Sequence, residues 1–269
     1  MSDAFRIEKD SLGEMQVPAH TMYGAQTQRA VDNFPNSGQR FGRRFIEALG
    51  VIIRSAALAT LSLDLLDEVR ADAIARAATE VAEGQWDDQF VLDIYQTGSG
   101  TSTNMNANEV IAHRATDLLE DAGVTVHPND HVNMAQSSND VIPTAMHVSA
   151  RIGLEREVIP ALTALADALA EKGEEFDGII KSGRTHLMDA TPVRLGQEFE
   201  GYAHLVRRGI ARIQAASEEL SELALGGTAT GTGINTHPKF ARKTIDRISD
   251  SEELAFTEAE NHFEAQGAK

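Results

Sequence analysis

Residues 194–225 read RLGQEFEGYAHLVRRGIARIQAASEELSELAL, and this stretch decides the fold class. Leu195, Phe199, Tyr202, Val206, Ile210, Ile213, Leu220 and Leu223 recur at three- and four-residue spacing and form one apolar stripe, while Glu198, Arg207, Arg208, Glu218 and Glu222 fall elsewhere. A stripe of that period marks a helix packed lengthwise against other helices. At ~1.5 Å per residue such a helix is on the order of 45 Å long, far beyond the average in globular proteins. The same spacing runs through 45–66, 69–82, 108–120 and 141–170. The segment 141–170 rivals 194–225 in length. Pro160 inside it is expected to kink or split it, because proline removes a backbone donor and its ring clashes with the preceding turn. The chain is therefore expected to be mainly α, with long helices in an elongated, oligomeric bundle. The best domain boundary falls near Gln136. Residues 1–136 carry short helices and many connections, and 137–269 carry the two long helices, separated by the polar stretch 173–192.

Composition narrows the function classes. At 269 residues, 42% hydrophobic and 24% charged, the chain can bury one large core or two ordinary ones. The opening MSDAFRIEKDSLGEM mixes charges early, and Arg54 and Asp167 interrupt the longest apolar stretches, so neither a signal peptide nor a membrane span is expected and a cytoplasmic location is. The absence of cysteine excludes disulfides, thiolate metal sites and a cysteine nucleophile. A net charge of −17 without a basic stripe makes nucleic acid and anionic membrane poor partners. Six lysines against 18 arginines, with this acidity, give a balance resembling cytoplasmic proteins of salt-loving microbes.

Three polar stretches sit beside expected helix ends: TGSGTSTNMN (97–106), HPNDHVNMAQSSND (127–140) and GRTHLMDATP (183–192). Each has a plain structural reading as a turn or helix cap. Each also has a chemical one. In the first, glycines let an anion approach the backbone, hydroxyls donate hydrogen bonds, and the following helix offers its positive dipole end, a cradle suited to a carboxylate. In the second, His127 and His131 have the four-residue spacing of helical metal pairs, but Pro128 argues against one continuous helix and no third ligand is evident, so no metal is expected. N-capping would use one of Ser137, Ser138, Asn139 and Asp140, leaving the others unexplained. The third offers His186 as a titratable base beside Arg184, Thr185 and Asp189. No nucleophile elbow, P-loop lysine or dinucleotide fingerprint is present.

Together with YGAQTQRAVDNFP (23–35) and LGGTATGTGINTHP (225–238), these stretches resemble class II fumarate hydratases of the fumarase and aspartase superfamily, in order and over essentially the whole chain. Fumarases resemble QSSND and GRTHL, whereas aspartases typically show QSTND and GRTQL, so Ser138 and His186 follow the fumarase pattern; aspartate ammonia-lyase is the alternative. The resemblance implies a mostly helical N-terminal domain (1–136) and the first part of a central long-helix bundle (137–269). It also implies reversible hydration of fumarate to (S)-malate without metal or organic cofactor, and a homotetramer whose sites are shared between subunits. Carried over by motif, Ser99, Gly100, Thr101, Ser137, Ser138, Asn139 and Thr185 bind substrate, His186 is the catalytic proton donor or acceptor, and His127, Asn129 and Asp130 form a second, non-catalytic dicarboxylate site. Met188 stands where the family usually has glutamine and Ala135 where serine is common, which the resemblance reads as tuning. Family members continue into the rest of the bundle, a mobile loop resembling GSSxMPxKxNP and a small C-terminal domain, whereas this sequence stops at Lys269. The resemblance thus implies a C-terminal truncation, and a catalytically incomplete fragment is the remaining alternative.

Overall fold

The computed structural model describes residues 4–267, so 1–3 and 268–269, the outer ends of the two expected domains, lie outside the described residues. The chain opens with β1 (Phe5–Asp10) and β2 (Gly13–Pro18), then α1 (Ala25–Asn33), α2 (Arg43–Leu61), α3 (Glu68–Ala82) and α4 (Thr101–Asp117). There follow α5 (Ser138–Gly153), α6 (Ile159–Glu175), the strands β3 (Ile180–Thr185) and β4 (Met188–Arg194), and α7 (Leu195–Glu219). The last elements are β5 (Glu222–Leu223), α8 (Phe240–Glu252), β6 (Thr257–Glu258) and α9 (His262–Gly267). The fold is mainly α, as the periodicity implied. Its contacts gather into two units, Met1–Ser149 with Ser221–Lys269, and Ala150–Leu220. Among the described residues no helix is long and apolar enough to cross a membrane.

The first unit is built round α2. Its run from Leu49 to Thr60 is apolar nearly all round, and Leu49, Ile52 and Ile53 are fully buried. An all-round apolar helix has to be covered on several faces. Alanine-rich α3 packs on one side, with Ala71, Ile74, Ala77, Ala78 and Val81 buried, and α8 on another through Ile245 and Ile248. Asp67 caps α3, accepting from the Arg70 N–H at 3.0 Å. The β1–β2 hairpin pairs from Phe5↔Pro18 to Asp10↔Gly13. It is fastened by Arg6, whose guanidinium donates to the carbonyls of Thr21 at 2.6 Å and Tyr23 at 2.7 Å. The alternation in FRIEKD is the period-2 signal of this hairpin, a signal that the charges of the segment obscure.

In the second unit α6 and α7 run antiparallel. Gly173 lies against Gly196 and Glu200, Asp167 reaches Arg207 at 3.6 Å, and the Ser217 hydroxyl donates to Glu155 at 2.6 Å. The buried seam consists of small residues, Ala166 on α6 with Gly173, and Gly196, Ala203 and Ser217 on α7. At Gly196 a Cβ would collide with the Gly173 carbonyl and come within 2.7 Å of Asp177 Cα, so only glycine permits this approach. The expected apolar stripe stays half-exposed, with Tyr202 44% accessible, and Leu205 beside it, outside the stripe, is 67% accessible.

One expectation about helix length is corrected. The helix read at 194–225 ends at Glu219, and the fully buried Leu223 belongs to β5, which pairs parallel with β6. Its burial came from a different neighbour than the stripe suggested. Just before Pro160 a wide π-type turn over Leu154–Val158 separates α5 from α6 and leads directly into α6, with the proline in its first turn. Such a turn absorbs the missing donor and the ring's clash with the carbonyl four residues back. Pro143 is the sixth residue of α5, because that helix already starts at Ser138.

Candidate active site

The glycine-rich first stretch does start a helix. Gly100 is the N-cap of α4 at φ 72°, and a Cβ there would also press into Ile142 at 2.9 Å, so both backbone and packing demand glycine. Because glycine brings no capping side chain, Gln96 fastens the loop instead. Its amide donates to the Asp93 carbonyl at 2.8 Å and to the Thr103 hydroxyl at 2.9 Å, and its oxygen accepts from the Thr103 N–H at 3.1 Å. The remaining first-turn amides lie at the positive end of a 17-residue helix.

The second stretch starts α5 beside it. Ser137 caps the helix, its hydroxyl accepting from the Asn139 N–H at 3.3 Å, while Asp140 accepts from the Ser137 N–H at 2.9 Å. The S-x-x-D spacing is that of a capping box, of which Asp140 makes the return half while the serine accepts from the second helical N–H instead of the third. It occupies Ser137 and Asp140 and leaves Ser138 for another task. The Ser138 hydroxyl lies 2.9 Å from that of Thr101, which lies 3.0 Å from that of Ser99. The structure thus joins two of the stretches through a chain of three half-buried or exposed hydroxyls at two helix N-termini. Asn139 fixes its orientation by donating to the Ala229 carbonyl at 2.7 Å.

Asp140 is fully buried, and burial pushes its carboxyl up from the ordinary carboxylate range against the opposing N–H groups of Ser137, Thr228 and Gly226. Those bonds from Gly226 at 3.0 Å and Thr228 at 2.8 Å bring in the loop 225–238.

Thr185 and His186 lie in the second unit. The stretch read as a polar loop is mostly the β3–β4 hairpin, with Thr185↔Met188 as its last pair and His186 (φ 50°) and Leu187 (φ 61°) as a two-residue turn. Both central residues are left-handed, the pattern of a type I′ turn that Asn-Gly usually fills. For histidine and leucine it costs of order 1–3 kcal/mol each, strain of a kind that gathers at functional sites. Arg184 and Asp189, directly opposite each other, pair at 3.2 Å behind the turn. Thr185, His186 and Leu187 are exposed, Leu187 at 94%.

His127, Asn129 and Asp130 form a separate group. Pro128–Val132 make a single π-type turn, and His127 caps it, its Nδ1 accepting from the N–H groups of Asn129 at 3.3 Å and Asp130 at 3.1 Å. The Asp130 carboxylate lies 3.2 Å from the same nitrogen. His131 Nδ1 accepts from the His127 N–H at 2.8 Å, and burial together with Arg70 lowers its pKa. His127 and Asn129 line a cavity of about 590 Å³ whose other walls include Glu8, Asp10, Glu109 and Asp117. Among the described residues no three His, Asp or Glu side chains converge as metal ligands.

Sequence reading gave no role to Gln96, Gly226 or Thr228 and took Asp140 only as a capping candidate. The capping-box spacing was a signal for Asp140; the loop partners, more than 80 residues away, left none.

Comparison with known proteins identifies the family. Residues 13–269 match the model of a family described as lyase. The chain is 61% identical to the class II fumarate hydratase of Halobacterium salinarum over 270 aligned residues, covering all of this chain and 57% of that protein. It is 51% identical to the enzyme of the same description from Corynebacterium glutamicum, covering 98% of this chain and 55% of the other. The crystal structure of class II fumarase from Schistosoma mansoni superposes with a TM-score of 0.94 at 38% identity, over 97% of this chain and 59% of that one. The chain therefore spans a little over half the length of the relatives it matches. With the match running through both helix-capped loops and the hairpin, the chain belongs to this lyase family and is similar throughout its length to class II fumarate hydratases.

Proposed function

We propose that the protein containing this chain hydrates fumarate reversibly to (S)-malate. The observation that carries the reading is the hydroxyl chain Ser99–Thr101–Ser138, with links of 3.0 and 2.9 Å across two helix N-termini. Adding water across the double bond places negative charge on the carboxylate next to the carbon that gains the proton. Fixed hydroxyl and amide donors aimed at that carboxylate stabilise the doubly charged intermediate, the largest single contribution in such sites. In this reading Ser99, Gly100, Thr101, Ser137, Ser138, Asn139 and Thr185 bind substrate, and His186 takes the proton of the attacking water or returns it in the reverse direction. His127, Asn129 and Asp130 act as a second dicarboxylate site with little influence on turnover.

The same reading places residues 1–136 in an N-terminal domain and 137–269 in the first part of a longer bundle, within a cytoplasmic homotetramer whose sites are completed between subunits. The exposed Leu165, Ile180, Leu187, Met188, Tyr202 and Leu205 of the second unit support an assembly, since so many large apolar groups are seldom left in water. The test is loss of fumarate absorbance in the full-length protein, with water or ammonia as nucleophile. Malate is expected with or without ammonia; turnover that requires ammonia and yields no malate would overturn the assignment.

A further inference from the structure

We propose that Asp140 is a positioning residue that holds the substrate-gripping loop 137–139 in register with the loop 226–229. The inference rests on the fumarate reading for its kinetic part. A capping box needs one acceptor for one N–H, and Asp140 Oδ1 fulfils that need on Ser137. The other oxygen does something capping does not require. Oδ2 accepts from the N–H groups of Gly226 at 3.0 Å and Thr228 at 2.8 Å, groups 86 and 88 residues further along the chain. Three converging N–H donors call for an acceptor with no hydrogen of its own, which a carboxylate is and an amide is not.

The distant loop is held on its other sides too. The Thr228 carbonyl accepts from Gln266 of α9 at 2.6 Å, and the Ala229 carbonyl accepts from the Asn139 amide at 2.7 Å. Thr228 sits at φ 54°, where a β-branched residue stays only if its surroundings hold it. Asp140 and Asn139 thus cross-link the two loops in both directions, donor to acceptor and acceptor to donor. The Ser138 hydroxyl rides on the backbone between Ser137, which Asp140 holds, and Asn139, and lies 2.9 Å from that of Thr101. Its distance to the other hydroxyls is set by where Asp140 pulls residue 137.

The experiment uses the full-length protein and its Asp140→Asn variant, in which one acceptor becomes a donor pointing at a backbone N–H. Steady-state kinetics with fumarate are expected to show kcat/KM per folded enzyme lowered about 10-fold or more, with KM raised, the scale of losing a hydrogen bond to a charged group. An unchanged KM with activity lost only in proportion to unfolded protein would reduce Asp140 to a structural residue and overturn the proposal. Amide hydrogen exchange of the wild type supplies the arm that does not depend on the variant folding. The N–H groups of Ser137, Gly226 and Thr228 are expected to exchange at one common rate, as one opening unit; unrelated rates would equally overturn it. A wild-type protein that leaves fumarate untouched would sink the proposed activity alone, because the exchange rates still read the clamp.

Discussion

Replacing Glu109 with glutamine tests how distant parts of the first unit are fastened together. Helix α1 begins on Gly24 without a capping side chain, and the carboxylate of Glu109, from α4, takes that role. Its Oε2 accepts from the Gly24 N–H at 2.9 Å, the Thr27 N–H at 3.0 Å and the Thr27 hydroxyl at 2.6 Å, while Oε1 accepts from the Gln26 N–H at 2.9 Å. Glutamine can keep its oxygen toward only one side. With the oxygen on the Gly24–Thr27 side, its NH₂ faces the Gln26 N–H, and that unpaired donor costs about 1–3 kcal/mol. The other bonds lose their charge assistance, on the order of 0.5–1 kcal/mol each. Relief from burying a charge in a residue only 9% exposed offsets part of this. The net loss is about 2–4 kcal/mol, a large share of a typical stability of about 5–15 kcal/mol. Urea unfolding followed by circular dichroism measures it, and Thr27→Val in a double-mutant cycle should show coupling of about 1 kcal/mol. A Glu109→Gln variant within about 0.5 kcal/mol of wild type, the range of an ordinary surface substitution, would refute the reasoning.

Asp93 gives a pH test: burial raises its carboxyl pKa, but the N–H groups of Tyr95, Ser37 and Gly38 and the Ser37 hydroxyl outweigh this and draw it from 3.8 to about 2. Its contribution is complete above the unfolded value of 3.8 and is lost as pH falls through about 2, so amides 37, 38 and 95 should lose exchange protection over that window, and Asp93→Asn should lack the transition. Gly196→Ala should destabilise the α6–α7 seam by about 1–3 kcal/mol despite alanine's better helix propensity, since its Cβ meets backbone atoms; an unchanged melting temperature would mean a looser seam. In the full-length protein His186→Asn should lower turnover by roughly 10² or more and His127→Asn by far less, and equal losses would erase the distinction between the two groups.

The helices were legible because α2, α3 and α7 repeat apolar residues at the helical period, and burial enforces that pattern. The ends of the long helices were less so. Leu223 fits the stripe of α7 yet is buried in β5, since an apolar residue does not announce which neighbour will cover it. The β3–β4 hairpin stayed hidden because its turn uses His186 and Leu187 in place of the residues that suit left-handed backbone, and cross-strand pairing holds them there. The candidate loops stood out because glycine and small hydroxyls at helix starts have a local physical meaning. The clamps beneath them did not, because Asp140 and Glu109 find their partners more than 80 residues away, where local patterning carries no signal.

The central claim, that hydroxyls gathered from two helix N-termini grip a substrate carboxylate, is tested most directly by the KM for fumarate of full-length Thr101→Val. Thr101 is the middle of the hydroxyl chain, 3.0 Å from Ser99 and 2.9 Å from Ser138, and valine keeps its shape while removing its hydrogen bonds. The expected result is a KM raised about 10-fold or more in a protein that still folds and still makes malate; a KM equal to that of the wild type would contradict the claim.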